Sequence, residues 1–233
     1  MRELGLDHPD AYRGHLESHA AEWSALAALC TVTVSRFHRD RAVFEALGST
    51  VLPALAQDAA ARGAGRLECW SAGCASGEEP YTLAILWKSA LAARFPRLEL
   101  RVLATDIDVE LLARAGKGCY KASSLREVPA AWLGQAFERR GDLYCVRAEF
   151  REGVELERQD LAADVPRRGL DLVLCRNLAF TYFAPERAAR TLDRIAARLR
   201  PGGALVVGLH EKLPGAAAGF EPWPGCRSIF RRC

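Results

Sequence analysis

The sequence predicts an α/β fold of the Rossmann-like kind: a mostly parallel sheet with helices on both faces, a short N-terminal helical subdomain and a small β-subdomain insertion. Three observations predict it. From Leu67 onward, four apolar strand-like runs alternate with segments of helical period, the pattern of parallel strands joined by crossover helices. The first 50 residues show helical spacing and no strand-like alternation. Between Tyr120 and Leu161 the alternation lapses into a helix followed by short polar strands.

The first helical stretch, "PDAYRGHLESHAAEWSALAALC", carries Tyr12, Leu16, Trp23, Leu26 and Leu29 on one face. "TVTVSRFHRD" breaks that pattern. Its β-branched and hydroxyl residues from Thr31 to Ser35 predict an extended connector, and Phe37 to Leu47 the start of another helix. The strands of the sheet are "RLECWSAG", "LELRVLATD", "LDLVLCRN" and "GGALVVGL". Between the first two, "EPYTLAILWKSALAARF" sets Ala84, Trp87, Leu91 and Phe95 on one helical stripe. A later helix begins at Pro185 and stops at Gly202, as capping preferences require. Within the insertion, "DLYCVR" and "VELERQ" read as polar strands, while "PGAAAGFEPWPG" reads as an exposed loop. The expected organisation is residues 1–50 as helical subdomain and connector and residues 51–233 as the main domain, with the β insertion at about 120–160.

Composition narrows the function. With 233 residues, 50% of them hydrophobic, the chain can bury one domain's core plus a small appendage. A net charge of +3, from 32 basic and 29 acidic residues, is too weak and too interspersed for a nucleic-acid or membrane-surface partner. The longest apolar helix is interrupted by Lys88, short of the ~20 residues that span a bilayer. Eight cysteines (Cys30, Cys69, Cys74, Cys119, Cys145, Cys175, Cys226, Cys233) lie mostly in apolar runs with no signal peptide ahead of them. They are expected to be reduced core thiols of a cytoplasmic, monomeric protein. None forms a C-x-x-C pair, so no metal site is expected.

The chemistry concentrates in "CWSAGCASGEEPY". A glycine turn after a strand and before a helix, here with Gly73, is where doubly wound folds bind nucleotides. The next strand ends "LATDID" and places Asp106 where a carboxylate accepts hydrogen bonds from ribose hydroxyls. Glu78 and Glu79 would repel a pyrophosphate, whereas S-adenosyl-L-methionine has no phosphate and carries a cationic α-ammonium and sulfonium. Glu78 is expected to face the α-ammonium and Glu79 to point to solvent or cap the helix.

"SRFHRD", "SAGCASGEEPYTLAI", "LATDID", "CRN" closely followed by "YF", and "LRPGG" resemble, in order and spacing, the bacterial chemoreceptor glutamate O-methyltransferase family, the CheR type. The resemblance covers roughly Leu16 to Gly208, and its "GEEPY" and "CRN" elements are specific to that family among methyltransferases. It implies a class I methyltransferase core using S-adenosyl-L-methionine, a helical N-terminal subdomain and a β subdomain beside the active site. It also implies a chemoreceptor or other signalling protein as methyl acceptor. By motif position the donor contacts are Thr33, Ser35 and Arg39 from the connector, with Gly73 and Glu78 from the turn. Asp106 holds the ribose, while Asp160, Leu161, Arg176 and Asn177 flank the adenine and the methionine moiety. Arg39 and Tyr182 are the catalytic candidates.

The chain is a divergent member by this reading. Thr33 stands where the family usually has asparagine, Ser35 for threonine, His38 for phenylalanine and Asp160 for asparagine. One more residue than usual separates Asn177 from Tyr182. The N-terminal subdomain is short, with only Arg2 and Arg13 as permanent cations in its first 30 residues, where the family is rich in basic residues.

His38 is expected on a partly exposed helix, His210 and Glu211 follow a strand at the sheet's carboxyl edge, and Trp70 and Trp87 are expected in the core. No nucleophile and base pair stands out, and a glutamate acceptor needs none, because a carboxyl of pKa about 4.3 is ionised at neutral pH. The alternatives are a methyltransferase acting on another protein or a small molecule, a donor-binding regulatory protein without turnover, and a nicotinamide oxidoreductase. The missing third glycine and the paired glutamates argue against the last.

Overall fold

The structure, a computed structural model, describes residues 4–6, 8–19, 22, 23, 26, 35–215 and 219–233. Residue contacts divide the chain into two units, Met1–Val34 and Ser35–Cys233. In the first, helix α1 (Pro9–Ser18) starts with proline in its first turn, where no amide donor is needed, and with His8 accepting from the Asp10 amide. Leu16 is its buried residue, and the Tyr12 hydroxyl donates to Glu22. Much of the predicted first helix and the connector residues Thr31 to Val34, Thr33 among them, lie outside the described residues.

The second unit opens with α2 (Arg41–Ala46), which runs through a π-helical turn at Leu47–Val51 into α3 (Leu52–Ala61). Ser49 and Thr50 hydroxyls donate back to the carbonyls of Glu45 and Ala46 across that turn. The main sheet contains β1 (Arg66–Ala72), β2 (Glu99–Asp106), β6 (Val154–Arg158), β7 (Leu170–Cys175) and β8 (Leu199–Val207), closed at one side by β9 (Phe220–Pro222) and β10 (Ile229–Arg232). Its order is β6-β2-β1-β7-β8-β10-β9, parallel from β6 to β8 and antiparallel beyond. Helices α4 (Glu78–Leu86), α5 (Val109–Lys117) and α9 (Pro185–Arg198) belong to the crossovers.

Alternation along the strands builds two cores, one on each face. Cys69, Leu172, Leu174, Ala204 and Val206 pack with Phe44, Leu47, Leu55, Leu83 and Trp87. Trp70, Val173, Cys175, Leu205 and Val207 pack with Leu192 and Ile195 of α9. All six residues of β7 are buried, as a central parallel strand covered on both faces must be. Trp70 and Trp87 lie in this core as expected.

The insertion is a three-stranded antiparallel sheet of β3 (Cys119–Lys121), β5 (Leu143–Val146) and β4 (Phe137–Arg140), in that order. Between β3 and β4 runs α6 (Ala130–Ala136), and α7 (Ala148–Arg151) follows β5. A third apolar cluster ties the insertion to the rest: Phe37 meets Tyr120 and Phe137 edge-on, with centroids 4.8 and 5.0 Å apart, beside Tyr81, Ile85 and Phe150.

Four local expectations are corrected. "DLYCVR" supplies β5 of the insertion, but "VELERQ" supplies β6, which pairs in parallel with β2 from Val102↔Val154 to Asp106↔Arg158. Its polar sequence reflects an edge position rather than membership of the small sheet. The predicted C-terminal loop contains β9, whose Pro222 sits on the outermost strand, the place where a missing amide donor costs no ladder bond. The helix expected to reach Gly202 ends at Arg198, and "LRPGG" already belongs to β8. Cys119 and Cys145 face each other across β3 and β5 with Cα atoms 3.9 Å apart and form a disulfide, so these two are not the reduced thiols expected. Cys69, Cys74 and Cys175 are buried thiols, as read.

Candidate active site

The carboxyl ends of β6, β2, β1, β7 and β8 all lie on one edge of the sheet, with the strand order switching direction between β1 and β7. That edge, at that switch, is where open α/β sheets hold ligands. Gly73, Glu78, Asp106, Arg176 and Asn177, singled out from sequence, follow or end strands at that edge.

After β1 the chain turns at Gly73 (φ 74°) and Gly77 (φ 92°), left-handed conformations that favour glycine. A Cβ at Gly73 would collide with Leu178 beyond β7, and one at Gly77 would lie 2.9 Å from the Ala115 Cβ. The turn is anchored from several sides. Gly73 and Cys74 amides donate to the Thr105 carbonyl at 2.8 and 2.9 Å, and the Tyr120 hydroxyl donates to the Ser76 carbonyl at 2.7 Å. Burial pushes the Tyr120 phenol far above its usual range, so it stays a neutral donor. The Cys74 thiol is likewise raised by burial and inert.

Asp106 ends β2, half-buried, accepting from the Ala75 amide at 2.8 Å and the Asp108 amide at 3.0 Å, one on each oxygen. A carboxylate has about four lone-pair sites, so about two remain for ligand hydroxyls. Glu78, at the first turn of α4, is 2% exposed, and its side chain accepts only from the Ser76 hydroxyl, at 2.9 and 3.1 Å. Among the described residues no cation lies within ion-pairing distance of it. The helix N-terminus favours that charge but does not neutralise it.

Glu79 corrects the expectation that it faces solvent or caps the helix. Its Oε1 accepts from the Ser71 hydroxyl at 2.7 Å and its Oε2 from Arg176 at 3.0 Å. Arg176 in turn donates to Asp40 at 2.6 Å and to the Arg39 carbonyl at 2.9 Å, and its guanidinium lies over the Phe44 ring. Its side chain is 3% exposed. One arginine thus bridges two carboxylates from opposite sides, the planar fork geometry that lysine lacks.

Beyond β7, Asn177 adopts a left-handed φ of 53°. Its amide, with those of Leu178 and Gly208 and the Thr181 hydroxyl, donates to the buried Glu211 at 2.8, 3.1, 2.5 and 2.6 Å. Glu211 therefore pins the turn after β7 to the turn after β8, whereas His210 is exposed. Among the described residues the other non-glycine left-handed positions are His38, Asp40 and Ala75, so all four lie in the connector or in the turns after β1 and β7. Each costs on the order of 1–2 kcal/mol, held by the surrounding bonds.

The remaining candidates are placed less centrally. Asp160 is exposed and accepts from the Ala162 amide at 2.8 Å, and Leu161 is buried in the core. Ser35 and Arg39 are half-buried in the connector. Tyr182 ends the short helix α8 (Ala179–Tyr182) and is 72% exposed. His38 is neither helical nor partly exposed. It is 4% exposed, packed on Phe44 and Trp132, with its amide on the Thr82 hydroxyl, and burial lowers its pKa.

Sequence reasoning missed the roles of Glu79, Asp40, Tyr120 and, in part, Glu211. Only the "RD" of "SRFHRD" and the doubled glutamate carried any signal, because each role depends on a partner distant in the chain.

Glu78, buried with no cation beside it among the described residues, suits a ligand that brings positive charge to it. A glycine turn after β1 with an acid at the end of the adjacent β2 lies at the edge where doubly wound α/β sheets take nucleoside ligands. Residues 33–228 match the family described as CheR methyltransferase, SAM binding domain, and the chain belongs to that family. It is 35% identical over 199 residues to the chemotaxis protein methyltransferase of Listeria monocytogenes, covering 85% of this chain and 72% of that one. It is 32% identical to that of Salmonella typhimurium, covering 95% and 75%. An uncharacterised 104.1 kDa protein of Rhodobacter capsulatus matches at 34% identity over 91% of this chain and 22% of its own length. Among solved structures, the glycopeptide N-methyltransferase MtfA complexed with S-adenosylmethionine is 15% identical with a TM-score of 0.39, over 65% of this chain and 47% of that one.

Proposed function

We propose that this protein transfers a methyl group from S-adenosylmethionine to glutamyl side-chain carboxylates of a chemoreceptor-like protein in the cytoplasm. The observation that carries the donor half is Glu78, a carboxylate buried at the mouth of the glycine turn without a counter-cation among the described residues. The names of the relatives support an acceptor in chemotaxis.

S-adenosylmethionine, when bound, supplies a methyl group on a sulfonium, ready for displacement. The protein's part is binding and orientation. Glu78 meets the α-ammonium, Asp106 takes the ribose hydroxyls on its two free lone-pair sites, and Asp160 and Leu161 border the base. Ser35 and Arg39 cover the methionine end, where the Arg39 guanidinium pairs with the donor carboxylate. Gly73 lets the backbone approach closely, and Asn177 lies across the switch from it.

The acceptor side favours a group that arrives ionised. His38 is walled in by Phe44 and Trp132 with its pKa lowered, and Tyr81 and Tyr120 spend their hydroxyl protons on the Ala115 and Ser76 carbonyls. These groups are unfit as general bases, and a carboxylate acceptor requires none. The test is base-labile product: protein labelled from methyl-tritiated donor should release volatile methanol in alkali. Stable label would exclude a carboxyl ester. A second reading, donor binding without turnover, is favoured by the exposure of Tyr182 and its displaced register. It would give tight S-adenosylhomocysteine binding and no methanol.

A further inference from the structure

The connector that covers the methionine end in the reading above bends sharply around Arg39, because His38 and Asp40 on either side both adopt left-handed φ, 59° and 61°. Such a bend persists only where it is anchored. The His38 amide is held by Thr82, at 3.0 Å. The other side is held by Arg176, whose Nη2 donates both to the Arg39 carbonyl, at 2.9 Å, and to Asp40, at 2.6 Å. Its Nη1 is fixed by Glu79, itself fixed by Ser71 on β1. The Phe44 ring closes one face of the guanidinium, 5.3 Å from it. At 3% exposure its three bonds engage both terminal nitrogens and leave Nε as a buried donor without a partner among the described residues, so the fork that faces Asp40, Arg39 and Glu79 is spent on the protein.

We infer that Arg176 is a positioning residue: it aims Arg39 by clamping the peptide on its carboxyl side, rather than touching donor or acceptor itself. The inference rests on the proposed role of Arg39 at the donor. It also assigns Glu79 and Asp40 as the two ends of the clamp, which explains why neither glutamate of "GEEP" points to solvent: the buried Glu78 is left for the ligand and the half-buried Glu79 holds the arginine.

Double-mutant binding tests this. S-adenosylhomocysteine is titrated calorimetrically into the full chain and into Arg176→Lys, Asp40→Asn, Arg39→Ala and the Arg176→Lys/Arg39→Ala double variant. Arg176→Lys keeps the buried charge and removes the fork, and is expected to weaken binding about tenfold, as is Arg39→Ala. The double variant should bind about as Arg39→Ala does, since a residue that acts through another adds nothing once the other is gone. An additive loss of about a hundredfold would overturn the inference and give Arg176 a contact of its own. Should Arg176→Lys fail to fold in thermal unfolding, Asp40→Asn decides, because it leaves the Arg176–Glu79 pair intact: weakened binding supports the clamp and unchanged binding refutes it. Loss of affinity in Arg39→Ala with none in Arg176→Lys and Asp40→Asn would refute the clamp and leave the donor reading standing. An unmutated protein that does not bind S-adenosylhomocysteine would end both.

Discussion

Glu78 and Glu79 are neighbours in the chain, but ~100° of helical rotation sends one carboxylate to a site without a cation among the described residues and the other to Arg176. Their neutral variants should therefore part company. Glu78→Gln removes a charge that no cation among the described residues balances, so it should cost little thermal stability and lower donor affinity most. Glu79→Gln leaves Arg176 half-paired in a buried setting and should cost about 1–3 kcal/mol of stability. Paired titration and thermal unfolding of the two variants check this, and equal profiles would mean that the roles are not divided. Asp106→Ala should weaken S-adenosylhomocysteine binding by about 1.5–3 kcal/mol, the loss of a charged acceptor. Because the Ala75 and Asp108 amides also lose their acceptor, some stability should go with it. Unchanged affinity would remove Asp106 from the site.

At the scale of elements, the turn between β1 and α4 is gripped by a separate sheet. The β3 strand delivers Tyr120 to the Ser76 carbonyl, and Gly77 leaves just the space that Ala115 of α5 and this phenol occupy. Gly77→Ala combines a left-handed φ with a 2.9 Å contact and should destabilise by about 1–3 kcal/mol, with weaker donor binding. Tyr120→Phe deletes one neutral hydrogen bond and should cost about 1 kcal/mol. If donor binding by calorimetry is unaltered in both variants, the insertion does not shape the turn.

For the whole molecule, pH provides a measurable signature. Burial lowers the pKa of His38 below its ordinary 6.5, so the fold favours the neutral ring. Its contribution is complete above the unfolded value and is lost as pH falls below about 6.5 toward the folded pKa. His38→Phe should flatten the fall in Tm between pH 7 and pH 5, and an identical slope in the variant would show that His38 is not the sensor. What the sequence by itself determined were the features written locally. The strand and helix periods fixed the α/β alternation, two glycines fixed the turn after β1, and the acid at the end of "LATD" followed from strand position alone. Order and spacing of five short motifs were enough to reach the family. Tertiary structure decided what depends on partners far apart in the chain. The polar run "VELER" became a sheet edge because β2 was there to pair with it. Cys119 and Cys145, 26 residues apart, became opposite neighbours through antiparallel register. Glu79 was drawn inward because Arg176, 97 positions later, leaves the adjacent parallel strand at the same edge. A carboxylate looks alike in sequence whether it meets water, a ligand or a buried arginine, and only the folded neighbourhood fixes which of these offsets its desolvation.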